Sequence, residues 1–152
     1  MKYFTISELT FSATARKCGI NNTPNTTNKN HLIQLVDNLL DPLRKEWTNY
    51  CITHNLGTGS LKVNSGYRCP NLNTAVHGVE NSAHLYGYAA DITPKNGHMN
   101  EFIEWVSKYF SKAGWLYDQI IIEKSGSSRW IHFGYKNGKG QQRMQCFYLD
   151  VS

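Results

Sequence analysis

Residues 119–135 read Gln119-Ile120-Ile121-Ile122-Glu123, then Lys124-Ser125-Gly126-Ser127-Ser128-Arg129, then Trp130-Ile131-His132-Phe133-Gly134-Tyr135. Two β-prone runs enclose a loop of turn formers, which is the pattern of an antiparallel hairpin. Side chains alternate along a strand, so Trp130, His132 and Gly134 share one face while Ile131, Phe133 and Tyr135 share the other. The same rule groups Gln119, Ile121 and Glu123. The hairpin therefore has one packed face and one wet face, and the wet face carries an imidazole and a carboxylate.

Working outward, Asn28 to Trp47 sets Leu32, Leu35, Val36, Leu39, Leu40 and Leu43 at helical spacing and predicts the main core helix. Pro42 lies inside that pattern and lacks a backbone donor, which predicts a kink or a fresh helix start near Asp41. Met99 to Phe110 repeats the helical spacing through Phe102, Ile103, Val106 and Phe110, with Gly114 as its end. Ser7 to Cys18 reads as a short helix with Ser7 as N-cap and Gly19 as its stop. Leu61–Ser65 and Tyr88–Ile92 read as short strands, Asn71–Val76 as a helical turn, Asn21–Thr27 and Lys136–Arg143 as loops, and Cys146–Leu149 as a final edge strand. No repeat, linker or low-complexity tract interrupts the chain. The expectation is one α+β domain over residues 1–152, with a central antiparallel sheet flanked by helices.

A chain of 152 residues with 40% hydrophobic and 18% charged residues can close a single core, which excludes a disordered tail. Its 16 Lys and Arg against 11 Asp and Glu favour anionic partners without selecting one. These cations are dispersed and match no nucleic-acid motif, so no nucleic acid is expected as partner. No apolar run is long enough for a signal-peptide core or a membrane span, and the expectation is a soluble protein made in the cytoplasm. Cys18, Cys51, Cys69 and Cys146 contain no C-x-x-C pair and are read as unpaired structural thiols rather than a zinc knuckle.

The densest chemical pattern is Ser82-Ala83-His84-Leu85-Tyr86-Gly87-Tyr88-Ala89-Ala90-Asp91-Ile92. His84 and Asp91 converge if the chain folds back at Gly87. Imidazole with carboxylate suits a divalent metal, and His132 on the wet hairpin face is the candidate third ligand. Two His and one Asp leave a position open on zinc, as in a catalytic and not a closed structural site. Spacing alone leaves the ordinary reading of each His as a surface or core residue open. His31, His54 and His98 are read that way, whereas His77, just before Gly78, is a candidate for a substrate groove.

The run S-x-H-x-x-G-x-A-x-D at 82–91, the upstream Asn64-Ser65-Gly66-Tyr67-Arg68-Cys69-Pro70-Asn71-Leu72-Asn73 and the downstream Trp130-Ile131-His132 occur in one order. Together they resemble the zinc D-alanyl-D-alanine carboxypeptidase family, which cuts peptidoglycan peptides and shares its fold with the hedgehog signalling domain. Tyr3 to Leu9 and Asp41-Pro42-Leu43-Arg44 are similar to its small single-domain bacterial and phage members, so the resemblance spans nearly the whole chain. It implies a hedgehog-like fold, one zinc ion on His84, Asp91 and His132, and Arg68 as the group that holds a substrate oxygen. It also implies a monomer acting on cell-wall peptide, as a carboxypeptidase or a stem-peptide endopeptidase. Many members carry an acidic general base three residues before the last zinc His, where this chain has Arg129. Arginine cannot accept a proton. Glu123 is the candidate base instead, and small relatives place a Glu at this strand end. Ser82, His77 and Trp130 are candidates for substrate contact. The alternative is a non-catalytic zinc module on the same fold that binds cell-wall peptide or a protein, and Arg129 is the feature that favours it.

Overall fold

The computed structural model describes residues 1–152. Its elements are α1 (Ile6–Thr10), α2 (Ala13–Cys18), α3 (Thr26–Leu35), α4 (Asp41–His54), β1 (Leu61–Ser65), α5 (Pro70–Ala75), β2 (Ala89–Pro94), α6 (Met99–Lys108), β3 (Gln119–Ser125), β4 (Ser128–Gly134) and β5 (Gln145–Asp150). The strands form one sheet in the order β1-β2-β4-β3-β5. This is an α+β fold consistent with the hedgehog-like expectation.

The sheet is mixed and not wholly antiparallel, because β5 runs parallel to β3 while the other three pairings are antiparallel. The connection explains the direction. β4 ends with Gly134 opposite Gln119, and residues 135–144 loop round that end of β3 to set Gln145 beside Gln119. From there β5 has to travel the way β3 does. Asp118, 2% exposed, secures the crossing by accepting hydrogen bonds from the Arg143 backbone N–H and from Arg143 Nε and Nη2, at 2.8–3.0 Å.

Strand alternation divides the sheet as expected. Ala90, Ile92, Ile120, Ile122, Ile131 and Phe133 face a core built by Leu32, Leu35, Val36, Leu39, Leu40, Leu43 and Trp47 with Phe102 and Val106, all of them buried. Burial of each Leu, Ile, Val or Phe among them is worth about 1.5–3 kcal/mol before the cost of ordering it. The opposite face is left for Asp91, His132, Ile121, Glu123 and Trp130. The hairpin turn itself is shorter than the expected six residues. Pairing continues to Ser125 opposite Ser128, so only Gly126 and Ser127 form the turn.

One helical expectation is refined and another is met. The segment from Ser7 to Cys18 is two helices, and Thr5, not Ser7, caps the first. Thr5 Oγ1 accepts from Glu8 N–H while Glu8 Oε1 accepts from Thr5 N–H, a reciprocal capping box that outcompetes Ser7. Ser12 then caps α2, which stops at Gly19 in the left-handed conformation. In the long helix, α3 and α4 are joined through a π-helical turn over Val36–Leu40, where Asp41 N–H bonds back to Val36 O. Proline in a regular helix clashes with the carbonyl four residues before it. The wider turn just ahead of Pro42 accommodates its ring, and α4 starts afresh at Asp41 with Pro42 in its first turn, as expected. No helix is long and apolar enough to cross a membrane. All four cysteines are unpaired.

Candidate metal centre

His84 sits on a single 3₁₀ turn, Ala83–Tyr86, between β1 and β2. Ser82 caps this turn by accepting from His84 N–H at 3.2 Å, and Gly87 ends it with φ 77°, a value that favours glycine. His84 Nδ1 is 2.7 Å from the Gly66 carbonyl oxygen, which can only accept, so Nδ1 carries the proton and Nε2 presents a lone pair. The His84 carbonyl in turn accepts from Arg68 N–H at 3.0 Å. Asp91 on β2 and His132 on β4 lie directly opposite each other in the sheet register.

These elements bring three donors to one point. Asp91 Oδ1 is 3.2 Å from His84 Nε2 and 3.1 Å from His132 Nδ1, all three side chains are buried, and their ligand atoms lie within 4.8 Å of one another. Burial pushes the His84 pKa down, against the pull of the Asp91 charge. Burial of Asp91 acts to raise its pKa, yet the two imidazoles beside it outweigh that and hold the carboxyl well below the usual range. Neutral His84 with its proton committed to Gly66 leaves a lone pair facing a carboxylate oxygen. That contact is repulsive unless a cation lies between the two. The donor set therefore fits a divalent metal, and two imidazoles with one carboxylate suit zinc with a position left open.

Arg68 borders the donors, with Nη2 3.5 Å from Asp91 Oδ2. Burial lowers its pKa and the charges of Asp91 and Glu123 oppose that shift. Its plane is fixed from behind, since Nε donates to Ser65 Oγ at 3.1 Å and Nη1 to Asn73 Oδ1 at 3.4 Å. Asn73 is 5% exposed and also donates to Val79 O. Asn22 clamps the loop that carries Arg68, donating to Thr10 O and Tyr67 O and accepting from Cys69 N–H.

Glu123 on β3 stands opposite Trp130 on β4, and Trp130 Nε1 donates to Glu123 Oε2 at 2.6 Å. Burial and the neighbouring Asp91 charge raise the Glu123 pKa, while His132, Trp130 and Arg68 oppose the rise. Arg129 is drawn to α6, where Nη1 donates to Asn100 Oδ1 at 2.7 Å. A cavity of about 490 Å³ opens over Asp91 and Trp130, with Asn64, Ser65, Thr93, Ser128 and Arg129 around it.

The structure thus gathers His84, Asp91, His132, Arg68 and Glu123 on one face of the sheet. Ser82 is buried and braces the His84 turn. His77 lies exposed on the turn after α5 with φ 57°, and it lines neither the cavity over Asp91 nor the one beside Arg68. Sequence reasoning passed over Ser65, Asn73, Asn22 and the Gly66 carbonyl. Ser65 and Asn73 were within sight, three residues before and five after Arg68 and inside the same motif. Asn22 and the Gly66 carbonyl act through loops that meet only in space.

No curated protein matches the chain. A family profile described as Peptidase M15 matches residues 2–132, a span that contains all three metal-donor side chains, Arg68 and Glu123. The match covers well over half of the sequence, and the His-Asp-His cluster within it has the geometry of a metal site: the chain belongs to the Peptidase M15 family.

Proposed function

We propose that this protein is a zinc-dependent peptidase that hydrolyses amide bonds in peptidoglycan stem peptides. Family membership supports the coarser part, a metallopeptidase. The observation that carries the finer reading is the convergence of a metal-fitting His84-Asp91-His132 cluster with an oriented carboxylate, Glu123, and a braced guanidinium, Arg68. Zinc held by these three side chains supplies Lewis acidity, which polarises a carbonyl and acidifies water.

The chain's own groups then have separate tasks. Glu123 takes the proton of the attacking water and passes it to the leaving amine. Its raised pKa brings it closer to neutrality than an ordinary carboxylate, which suits a group that must both accept and return a proton. Trp130 holds one carboxylate oxygen and so aims the other. Arg68 keeps N–H donors free beyond those used by Ser65 and Asn73, and these hold the substrate oxygen as negative charge develops on it. Every one of these groups comes from one copy of the chain, which supports action as a monomer. The net charge of +5 supports approach to an anionic wall.

The test is digestion of purified peptidoglycan with and without chelator, with products identified by mass spectrometry. The expected result is new amine and carboxyl ends within or at the end of the stem peptide, absent with chelator and restored by zinc. Full zinc occupancy with measurable wall-peptide binding but no cleavage would replace this reading with a binding module.

A further inference from the structure

A second cavity, of about 410 Å³, adjoins the one over Asp91, and the two share Asn64 and Ser65 at the end of β1. Arg68 lines this second cavity and Asp91 the first, and their side chains approach to 3.5 Å. Asp91, one of the three donors, and Arg68 therefore stand where the two cavities meet, with space on either side of the pair. Lys62, Val63, Asn64 and Ser65 are consecutive and alternate between faces of the sheet, yet all four line the cavity. It follows that the cavity runs along the edge of β1. That edge is the open side of the sheet, since β1 pairs only with β2.

The lining has a definite chemistry. Phe11, Leu72 and Val76 supply apolar surface, and Phe11 and Val76 are 55% and 37% exposed. Lys62 and Arg68 are the only charged side chains. Arg68 is fixed at the Asp91 end by Ser65, Asn73 and Asp91, where its remaining donors serve the reacting oxygen, which leaves Lys62 as the cation available to a side chain of the ligand. An open strand edge offers main-chain hydrogen bonds to an extended peptide, with side-chain pockets giving selectivity.

We propose that this cavity is a peptide subsite in which an extended segment lies along β1, with an apolar side chain over Phe11 and Val76 and a carboxylate on Lys62. The proposal rests on the peptidase reading and deepens it. A substrate that fills the groove on both sides of the Asp91-Arg68 pair is cut at an internal bond, and it carries a free carboxylate on one side of that bond.

The experiment uses the zinc-loaded full chain and stem peptides whose internal acidic residue is either a free carboxylate or its amide. Internal cleavage is expected, with kcat/KM about tenfold higher for the carboxylate form, the usual scale of one charge-assisted hydrogen bond. Lys62→Gln should erase that preference, and Val76→Asp should weaken use of both forms. Both positions are at least partly exposed, and an unchanged Tm identifies variants that remain folded. Affinity is read separately on the Glu123→Gln protein, where Lys62→Gln should abolish the preference for carboxylate over amide. Release of terminal residues only, or equal treatment of the two peptides unchanged by Lys62→Gln, overturns the subsite. If hydrolysis fails but binding keeps a Lys62-dependent preference, the subsite stands and the peptidase reading falls.

Discussion

Trp130 and Glu123 are cross-strand partners in the β3–β4 hairpin, and the indole N–H of Trp130 reaches Glu123 Oε2 at 2.6 Å. A donor on a carboxylate favours its charged form, so this bond acts against the burial that raises the Glu123 pKa. In Trp130→Phe the donor is lost and the pKa rises further. A base works only when deprotonated, and activity disappears as pH falls through its pKa. The acid limb of the kcat/KM profile should therefore move to higher pH in Trp130→Phe. A bound cation lowers the pKa in both proteins alike, so the difference between their profiles survives. An unmoved acid limb would show that this hydrogen bond does not govern the catalytic ionisation.

Glu123→Gln keeps the shape and the partner of Trp130 but cannot accept a proton. General-base catalysis is typically worth ~10²–10⁴-fold, and kcat should fall by about that factor while zinc content stays at one ion per chain. Activity within about tenfold of wild type, measured on the zinc-loaded protein, would remove Glu123 from the role of base.

Removing the metal should cost stability as well as activity. A ligand that binds only the native state at ~1,000 times its Kd stabilises it by about 4 kcal/mol. For a domain of this size that corresponds to a rise in Tm of roughly 8–16 °C. Scanning calorimetry of chelator-treated protein with and without added zinc measures this directly. Asp91→Asn should lower zinc content and remove most of the zinc-dependent Tm shift, since two imidazoles remain without the carboxylate.

Gly78 packs against the residue that braces Arg68. A Cβ there would overlap Asn73 Oδ1 and come within 3.1 Å of Arg68 Nη1. Gly78→Ala should displace Asn73 and with it the guanidinium. Small misplacements of a positioning group can cost ~10²-fold, so kcat/KM should drop by about that much with zinc content unchanged. The comparison with Asn73→Ala locates the effect, because an Arg68 brace common to both predicts that the double variant loses no more than the worse single one.

The parts of this fold visible in the sequence are those governed by a local period. Alternation in 119–123 and 130–135 fixed which side of the hairpin His132 and Glu123 occupy, because a one-residue slip would have put Ile131 and Phe133 in water. The leucine stripe from Leu32 to Leu43 likewise named the core, and all of its members are buried. The direction of β5 was not legible, since all six of its residues are exposed and offer no buried face to read. The Thr5-x-x-Glu8 capping box was legible and was passed over in favour of Ser7. At the metal centre the three donors could be named from residue type and family motif. The groups that orient them, the Gly66 carbonyl and Asn22 among them, act through backbone or between distant loops, and residue type carries no trace of that.

The parallel pairing of β5 also orders events during folding. The β3–β4 hairpin closes through a two-residue turn, which happens on the microsecond scale, so Glu123 and Trp130 can meet early. Gln145 must find Gln119 across 26 residues, by way of the loop that Asp118 and Arg143 secure. In that interval the strand bearing Glu123 has a bare edge, the condition under which unfinished chains pair with one another. Residues 135–150, which supply none of the side chains gathered at the metal centre, should thus set how many molecules reach the native state from a concentrated refolding mixture.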